Sequence, residues 1–325
     1  MPKAIRIHAH GGPEVLTYED ADPGRPGPGQ ALIRHTAIGL NFIDVYYRTG
    51  LYPAPGGLPL VPGGEGAGVV VEVGEGVDWL KPGDRVAYAV GTGAYAEQRV
   101  IAADRLVRVP DGISDEQAAA MMLKGMTAEY LLRRTFHVKA GDTILFHAAA
   151  GGVGLIAGQW AKHLGAVTIG TAGSPDKVEL ARAHGYDHVI NYREQDFVAE
   201  VARITDGQKC EVVYDSVGKD TFEGSLDCLK PLGLLALFGQ SSGPVPPFNL
   251  GVLSQKGSLY ITRPTLFVYV AKRQDLEASA QALFDVISSG VVKVRVNQRY
   301  ALKDAARAHA DLEARRTTGT TILVP

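Results

Sequence analysis

The sequence has only two cysteines among its 325 residues, Cys210 and Cys228. A disulfide framework or a four-cysteine zinc cluster needs more cysteines than this, so both are excluded as sources of stability. Cys210 lies in a predicted strand and Cys228 in a predicted helix, which is typical of buried apolar residues.

Long apolar runs and an excess of charge of one sign are also missing. No run reaches the roughly 18 apolar residues that would span a bilayer, and residues 1–6 lack the apolar segment of a signal peptide. The net charge is −2, whereas nucleic-acid binding usually requires a basic excess or a basic stripe. We therefore expect a cytoplasmic protein that binds neither membranes nor nucleic acids.

The clearest positive feature is the stretch 142–157, where an apolar β-like run leads through a small-residue loop into a segment with helical spacing. A strand, a glycine turn and a helix in this order place backbone N–H groups against a phosphate. The fingerprint G-x-G-x-x-G is matched in part, with Ala149 at its first position and Gly151 and Gly154 at the other two. Gly152 and Val153 complete the loop, which we expect to bind the pyrophosphate of a dinucleotide. The alternative is a glycine turn that serves only helix–strand packing.

The predicted elements divide the chain into a β-rich part and an alternating part. Residues 1–124 contain short β-like runs separated by Gly/Pro turns, which predicts an antiparallel, partly barrel-like domain with no dominant helix before Ser114. Ser114, with Gln117 three residues later, predicts a capping box at the start of a helix. Residues 125–263 alternate strands and helices, which predicts a doubly wound parallel sheet of the Rossmann type. Residues 264–325, which include a predicted strand around 291–296, fit either domain by pattern, and we assign them to the first because its strands lack helices to cover them. The expected fold class is α/β with a second, β-rich domain.

The residues after the second strand of the alternating part indicate which nucleotide binds. An acidic residue that grips the ribose 2′-OH is expected about 20 residues past the glycines. Gly173 and Ser174 occupy that place instead, Lys177 follows, and Tyr192 closes the third strand. Without a carboxylate to repel a 2′-phosphate, and with a lysine and a tyrosine able to reach it, NADPH is favoured over NADH. The alternative is that Lys177 is a solvated residue of a first helical turn.

Two further loops follow predicted strands and contain small and polar residues. Ligands of an open α/β sheet lie at the carboxyl ends of its strands, so these loops are candidates for cofactor binding. The residues concerned are Ser216, Phe238, Gly239, Gln240 and Ser241. A simpler interpretation is that they form loop turns, in which Gly and Ser are common.

An ordered set of segments along nearly the whole chain resembles the medium-chain dehydrogenase/reductases, and more narrowly the zinc-independent quinone oxidoreductases related to zeta-crystallin. The segments are 11–16 (GGPEVL), 41–44 (NFID), 51–53 (LYP), 81–86 (KPGDRV), 148–154 (AAAGGVG), 213–218 (VYDSVG) and 262–264 (TRP). One glycine loop alone would be weak support, whereas this set in this order is specific. The resemblance implies a GroES-like catalytic domain joined to an NADPH-binding Rossmann domain.

Zinc alcohol dehydrogenases of the same superfamily hold their catalytic metal with two cysteines and a histidine. The matching positions here are Asn41, Gly64 and a place near Lys124, and the four-cysteine structural lobe is missing as well. Asparagine and lysine are not suitable ligands in a tetrahedral N/S site. We therefore expect no metal site.

The resemblance also implies which residues surround the nicotinamide. It places in a cleft between the two domains the side chains of Asn41, Asp44, Tyr46, Tyr52, Lys124 and Thr127. It places near the cofactor Phe42, Ile43, Tyr130, Pro264, Thr265, Leu266 and Arg315. Taken singly, these residues are better explained without a functional role: the two cleft tyrosines as packed aromatics, Asp44 as a turn or salt-bridge residue, and Lys124 as a solvated side chain.

A polar cleft without a metal suits a substrate that is already electrophilic and accepts hydride without Lewis-acid help. The sequence therefore predicts an NADPH:quinone oxidoreductase, and the resemblance implies a homodimer. Asn41 or Lys124 would hydrogen-bond a developing oxyanion, and a tyrosine or water would return the proton. Two alternatives remain, namely an NADPH-dependent enal or enone reductase and a crystallin-like NADPH-binding protein with little turnover.

Overall fold

The computed structural model describes residues 1–325. Up to residue 130 its elements are β1 (Lys3–Arg6), β2 (Thr17–Asp20), β3 (Gln30–Gly39), α1 (Phe42–Thr49), β4 (Glu65–Val73), β5 (Arg85–Ala89), β6 (Gln98–Ala102), β7 (Val107–Arg108) and α2 (Asp115–Tyr130). From there to residue 237 they are β8 (Thr143–Phe146), α3 (Gly152–His163), β9 (Val167–Ala172), α4 (Pro175–Arg182), β10 (His188–Asn191), α5 (Phe197–Ile204), β11 (Cys210–Asp215), α6 (Phe222–Asp227) and β12 (Leu229–Leu237). The last elements are α7 (Gly251–Gln255), β13 (Tyr260–Thr262), α8 (Leu266–Tyr269), α9 (Arg273–Ser288), β14 (Val296–Ala301), α10 (Ala305–Glu313) and β15 (Thr320–Val324).

The chain forms two compact units. The first comprises Met1–Met126, Val270–Ser288 and Val294–Pro325, and the second comprises Thr127–Tyr269 and Ser289–Lys293. The predicted changes at 124/125 and 263/264 lie two and six residues before the divisions at 126/127 and 269/270. The first division falls inside helix α2, so no change of pattern in the sequence marks it.

The first unit is built on a seven-stranded sheet of order β14-β15-β3-β4-β5-β7, with β6 also paired to β3. All of its pairs are antiparallel except β14 with β15. The strands from the C-terminal region join this sheet because β15 pairs with β3, with Ile322 opposite Gly39. The buried core includes Ile33, Val86 and Leu106. This sheet positions the start of α1 and the start of β4, where the polar residues of the unit gather.

The second unit contains a six-stranded, wholly parallel sheet of order β10-β9-β8-β11-β12-β13. Counted within the unit, this is the order 3-2-1-4-5-6 of the dinucleotide-binding sheet, so the predicted doubly wound fold is confirmed. The strand order reverses between β8 and β11, and the glycine loop follows β8 at that point. The carboxyl ends of β8, β9 and β11 therefore meet beside the loop.

Some predicted elements differ from those observed. Ser114 caps α2 as predicted, because its hydroxyl accepts the Gln117 backbone N–H while Gln117 accepts the Ser114 N–H. The eight-residue α1 was not predicted, since its residues are largely aromatic and β-branched. The strand predicted at 291–296 is wrong, because β14 begins only at Val296. No helix of the structure is long and apolar enough to cross a membrane.

Candidate functional site

The glycine loop of the second unit is shaped by its backbone. Ala148 adopts a left-handed conformation with φ of 55°, and its carbonyl accepts the Gly151 N–H at 2.8 Å. The Ala149 N–H is anchored on the Thr171 carbonyl of β9 at 2.9 Å. Gly151 is extended and precedes α3, whose first N–H groups have no partner within the helix. Such a helix start is a suitable place for a phosphate.

Gly154 has a packing role within the same loop. A Cβ at this position would lie 2.6 Å from the carbonyl oxygens of both Ala148 and Ala149. Only glycine allows α3 to approach the loop this closely, as is typical of the third glycine of the fingerprint. The Gly154 carbonyl also accepts the Tyr186 hydroxyl at 2.8 Å. For this one residue, the predicted alternative of helix–strand packing describes what the structure shows.

The residues predicted to choose the nucleotide lie together at the carboxyl ends of β9 and β10. A Cβ on Gly173 would lie 2.4 Å from the Tyr192 hydroxyl, so the phenol rests directly over the glycine. Ser174 is the N-cap of α4 but makes no side-chain cap, and Lys177 lies half-buried in the first turn of that helix. The nearest carboxylate along the chain belongs to Asp176, which is exposed in the same turn.

The loops after β11 and β12 are joined to each other. The Ser216 carbonyl accepts the Ser241 N–H at 3.1 Å, and a Cβ on Gly239 would lie 2.6 Å from the same carbonyl oxygen. The Phe238 N–H donates to the Asp215 carbonyl at 2.8 Å. The predicted residues of these two loops are therefore neighbours. Gln240 lies between Gly239 and Ser241 in the loop after β12.

A buried polar network beneath these loops was not predicted. Asp215 Oδ2 accepts the Ser225 hydroxyl at 2.9 Å, and the Ser225 oxygen lies 3.0 Å from His147 Nε2. His147 Nδ1 lies 3.0 Å from the Thr171 hydroxyl. Burial lowers the pKa of His147, although the nearby Asp215 acts against that shift. The network ties β8, β9 and β11 together where the glycine loop begins. The only sequence signal was that His147 and Asp215 lie at strand ends.

Five further predicted residues belong to the second unit. Thr127 and Tyr130 are buried on α2, and the Tyr130 ring stacks on Tyr269 with centroids 4.4 Å apart. Burial raises the pKa of Tyr130, with the Tyr269 hydroxyl adding to the shift. Pro264 is buried, and Leu266 is buried at the start of α8. Thr265, between them, is exposed.

The first unit gathers a second group of polar residues, with Glu65 at its centre. Glu65 Oε2 accepts the Asn41 side-chain amide at 2.9 Å and the Lys124 ammonium at 2.7 Å, while Oε1 accepts the Leu123 N–H at 2.8 Å. Glu65 has no exposed surface and Lys124 is only 5% exposed, so the solvated alternative for Lys124 is wrong. Glu65 was not among the predicted site residues. Its only signal was its place after Gly63 and Gly64.

Asp44 lies beside this group and is fully buried. Its Oδ2 accepts the Asn41 backbone N–H at 2.9 Å and the Tyr95 hydroxyl at 3.0 Å, whereas Oδ1 has no partner. Burial raises the pKa of Asp44 to about 7, against the lowering effect of its hydrogen bonds to Asn41 and Tyr95 and of the Lys124 charge. The structure thus brings three predicted residues together, namely Asn41, Asp44 and Lys124.

Aromatic residues of α1 and the following loop form a cluster. The rings of Tyr46 and Tyr52 have centroids 5.2 Å apart, and Phe42 contacts Tyr46 with centroids 6.4 Å apart. Tyr46 is buried, while Phe42, Ile43 and Tyr52 are half-buried. Arg315 lies in the first unit beyond α10, exposed and left-handed with φ of 58°.

The three positions that the family resemblance aligns with zinc ligands lie in this unit. Asn41 and Lys124 both contact Glu65, and a Cβ on Gly64 would lie 3.7 Å from Asp44 Oδ1. The structure brings together no group of three or more His, Cys, Asp or Glu side chains that could hold a metal ion. The side chains that meet at and beside these positions are thus an amide, an ammonium group and a carboxylate.

Comparison with known proteins identifies the family. Residues 152–283 match the model of the zinc-binding dehydrogenases, and residues 27–111 match that of the alcohol dehydrogenase GroES-like domain. The chain is 59% identical over 326 residues to a quinone oxidoreductase of Pseudomonas aeruginosa, with 100% of both chains covered. It is 45% identical over 335 residues to a 2-haloacrylate reductase of a Burkholderia species, with 100% of this chain and 99% of that one covered.

A solved structure agrees with this assignment. The crystal structure of Escherichia coli quinone oxidoreductase complexed with NADPH has a TM-score of 0.97 and 52% sequence identity to this chain. The match covers 99% of this chain and 100% of that one. The chain therefore belongs to the quinone oxidoreductases of the medium-chain dehydrogenase/reductase superfamily.

Proposed function

We propose that this protein is an NADPH-dependent quinone reductase that transfers hydride to a quinone without a metal. The structural observation that carries the cofactor assignment lies at the end of β9, where Gly173 lies beneath the Tyr192 hydroxyl and provides no carboxylate to repel a 2′-phosphate. The relatives named as quinone oxidoreductases, one of them solved with NADPH, support the reaction.

The residues of the second unit fit this cofactor. The loop from Gly151 to Gly154 would hold the pyrophosphate at the start of α3. Lys177 and Tyr192 would bind the 2′-phosphate, since a lysine makes charge-assisted hydrogen bonds to phosphate oxygens. When bound, NADPH supplies the hydride, so the protein provides binding, orientation and electrostatics.

The polar group of the first unit fits the carbonyl side of the reaction. Glu65 holds the Lys124 ammonium group, which has three N–H donors, and it holds one N–H of the Asn41 amide. The donors that remain are fixed in place before substrate binds. Preorganised donors of this kind stabilise a developing oxyanion in a site shielded from water. We assign this role to Asn41 or Lys124, and the return of the proton to a tyrosine or water.

Oxidation of NADPH with 1,4-benzoquinone, measured by the loss of NADPH absorbance, tests this function. We expect turnover with NADPH and much weaker turnover with NADH. Thermal protection by NADPH without turnover on any quinone or enone would support a crystallin-like binding protein and contradict the proposal.

An enal or enone reductase is the second candidate, because the chain is 45% identical to a 2-haloacrylate reductase over its full length. Both substrate classes present an electron-poor conjugated carbonyl. The same assay with a simple enone and with 2-chloroacrylate separates them. Turnover of only the enone or the haloacrylate would favour this candidate over the quinone reductase.

We further propose that the protein is a cytoplasmic homodimer. Both cysteines are buried free thiols, as is common in reducing compartments. Strand β13 ends the parallel sheet and pairs only with β12, and Tyr260 on this strand is 61% exposed. Val268, shortly after it, is 72% exposed. Light scattering after size exclusion should give a dimer for the wild type and a monomer for Tyr260→Lys.

A further inference from the structure

A buried row of hydrogen bonds leads from Arg48 to Asp44 in the first unit. Arg48 Nη1 lies 3.2 Å from His309 Nδ1, and His309 Nε2 lies 3.0 Å from the Tyr95 hydroxyl. The Tyr95 hydroxyl lies 3.0 Å from Asp44 Oδ2. All four side chains are at least 99% buried. The reaction assigned above to Asn41 and Lys124 leaves this row without a role.

The direction of every hydrogen bond in the row is fixed by its first member. A guanidinium group can only donate, so His309 Nδ1 must accept from Arg48. Burial and the Arg48 charge lower the pKa of His309 to about 3, so its ring is neutral and carries its one hydrogen on Nε2. That hydrogen is donated to the Tyr95 oxygen, which leaves the Tyr95 hydroxyl to donate to Asp44.

The row cannot conduct protons to the site, because arginine does not give up a proton in proteins. It acts instead as a set of aligned dipoles. Its outer end is held by Glu313, whose two carboxylate oxygens accept from Arg48 at 2.9 and 2.8 Å, and by the Gly11 carbonyl at 3.1 Å.

The inner end of the row is Asp44, and Asp44 is tied to Asn41. The same Oδ2 atom that accepts from Tyr95 also accepts the Asn41 N–H, which fixes the first turn of α1. The Asn41 side chain in turn donates to the carboxylate that holds Lys124. Loss of the Tyr95 hydroxyl as a donor to Asp44 would therefore affect both Asn41 and the Glu65–Lys124 pair.

The charges around Asp44 come from several elements. Lys124 on α2 favours its ionised form and Glu65 on β4 opposes it. The ionised form also acts on Tyr47 of α1, Tyr88 of β5 and Tyr95, raising the pKa of each phenol, in every case after burial as the larger cause.

We propose that Tyr95 and His309 are positioning residues for the reaction. They carry the positive potential of Arg48 to Asp44 as a directed row of hydrogen bonds, so that an ionised Asp44 holds Asn41 against the Glu65–Lys124 pair. This inference rests on the proposed function, because it concerns the residues assigned to oxyanion binding.

Titration of Asp44 by ¹³C NMR of aspartate-labelled protein tests the row without any turnover, with its signal assigned by its loss in Asp44→Asn. Tyr95→Phe should raise the pKa of Asp44 by about one unit, as expected when a carboxylate loses one donor. His309→Leu should raise it in the same direction. Tyr88→Phe is the matched control, because its hydroxyl is equally buried and contacts His35 and Arg99 but makes no hydrogen bond to Asp44.

Activity is the second readout. The acidic limb of kcat/KM for 1,4-benzoquinone should move to higher pH by a similar amount in Tyr95→Phe, with KM for NADPH unchanged. A lower stability in Tyr95→Phe and His309→Leu with an unmoved Asp44 titration would overturn the inference and leave a structural role. A wild type with no turnover would contradict the proposed function instead. The NMR titration would still test whether Tyr95 and His309 control the ionisation of Asp44.

Discussion

Lys124 and Glu65 form a buried ion pair, with Nζ and Oε2 2.7 Å apart and side-chain exposures of 6% and 0%. Removal of one partner from a buried pair leaves an uncompensated charge, which costs about 3–5 kcal/mol. We therefore expect Glu65→Gln to lower the free energy of unfolding by an amount in this range and to reduce kcat for the quinone. Urea unfolding followed by circular dichroism measures the first effect, and steady-state kinetics measures the second.

The double variant Glu65→Gln/Lys124→Met is the control for this prediction. It removes both charges, so most of the stability lost in the single variant should return, while activity should stay low. If the two substitutions were simply additive in stability, the ion pair would not be the cause of the loss.

Two glycines of the second unit should respond differently to alanine. At Gly154 a Cβ would meet two backbone carbonyl oxygens at 2.6 Å, and overpacking of this kind costs about 1–3 kcal/mol. At Gly173 it would meet only the hydroxyl end of Tyr192, which is 39% exposed and can move. We expect Gly173→Ala to stay within about 0.5 kcal/mol of the wild type in stability.

Cofactor affinity should show an effect of Gly173→Ala that its stability does not. Gly173→Ala should weaken NADPH binding roughly tenfold, because a displaced Tyr192 loses one hydrogen bond to the 2′-phosphate. Its affinity for NADH should not change. Isothermal titration with both nucleotides checks this, and an equal loss for the two would show that Tyr192 does not contact the 2′-phosphate.

The fold of this protein was readable from its sequence because its patterns are local. Helical spacing follows the glycine loop directly, and alternation of strand and helix predicts a parallel sheet. Helix α1 was not predicted because its stabilisation is tertiary. Its Asp44 accepts from Tyr95. Its Arg48 donates to His309 and Glu313, which lie far along the chain. Strand β14 was placed too early because its pairing with β15 decides where it begins, and no local pattern reports that.

The site was readable only in part, for the same reason. Asn41, Asp44 and Lys124 were found through a family resemblance, which marks positions but not contacts. Glu65 was missed because its importance lies in accepting from side chains 24 and 59 residues away. A buried carboxylate cannot be told from a solvated one by its neighbours in sequence.

Stability should fall as the pH drops below the ordinary histidine range. Burial lowers the pKa of His35 and of His309 to about 3, with Arg99 and Arg48 respectively adding to the shift. Between about pH 3 and 6.5 these two histidines are protonated in the unfolded chain but neutral in the folded protein. Each of them therefore lowers the free energy of unfolding by about 1.4 kcal/mol for every unit that the pH falls. Their contribution is complete above pH 6.5 and is lost on acidification.

Asp44 acts in the opposite direction, since burial raises its pKa to about 7 and its contribution is lost as the pH rises through that value. Two histidines outweigh one carboxyl group between about pH 4 and 6.5, so we expect a net loss of stability on acidification. Urea unfolding at several pH values should show a shallower slope for His35→Gln than for the wild type, whatever its absolute stability. An unchanged slope would mean that His35 is not neutral in the fold.

Lys177→Ala should distinguish the two nicotinamide cofactors. Lys177 lies half-buried in the first turn of α4, beside Gly173 and Ser174, where we propose that the 2′-phosphate binds. The loss of one or two charge-assisted contacts costs about 1.5–3 kcal/mol, so KM for NADPH should rise between about 10- and 150-fold while KM for NADH changes little. Arg182→Ala is the matched control, because it removes the same charge from the last turn of the same helix, where the side chain is 53% exposed and pairs with Glu179. Arg182→Ala should leave KM for NADPH and KM for NADH near those of the wild type. An equal rise for the two cofactors in Lys177→Ala would refute the 2′-phosphate assignment, and an equal rise in both variants would indicate that α4 acts only through its overall charge.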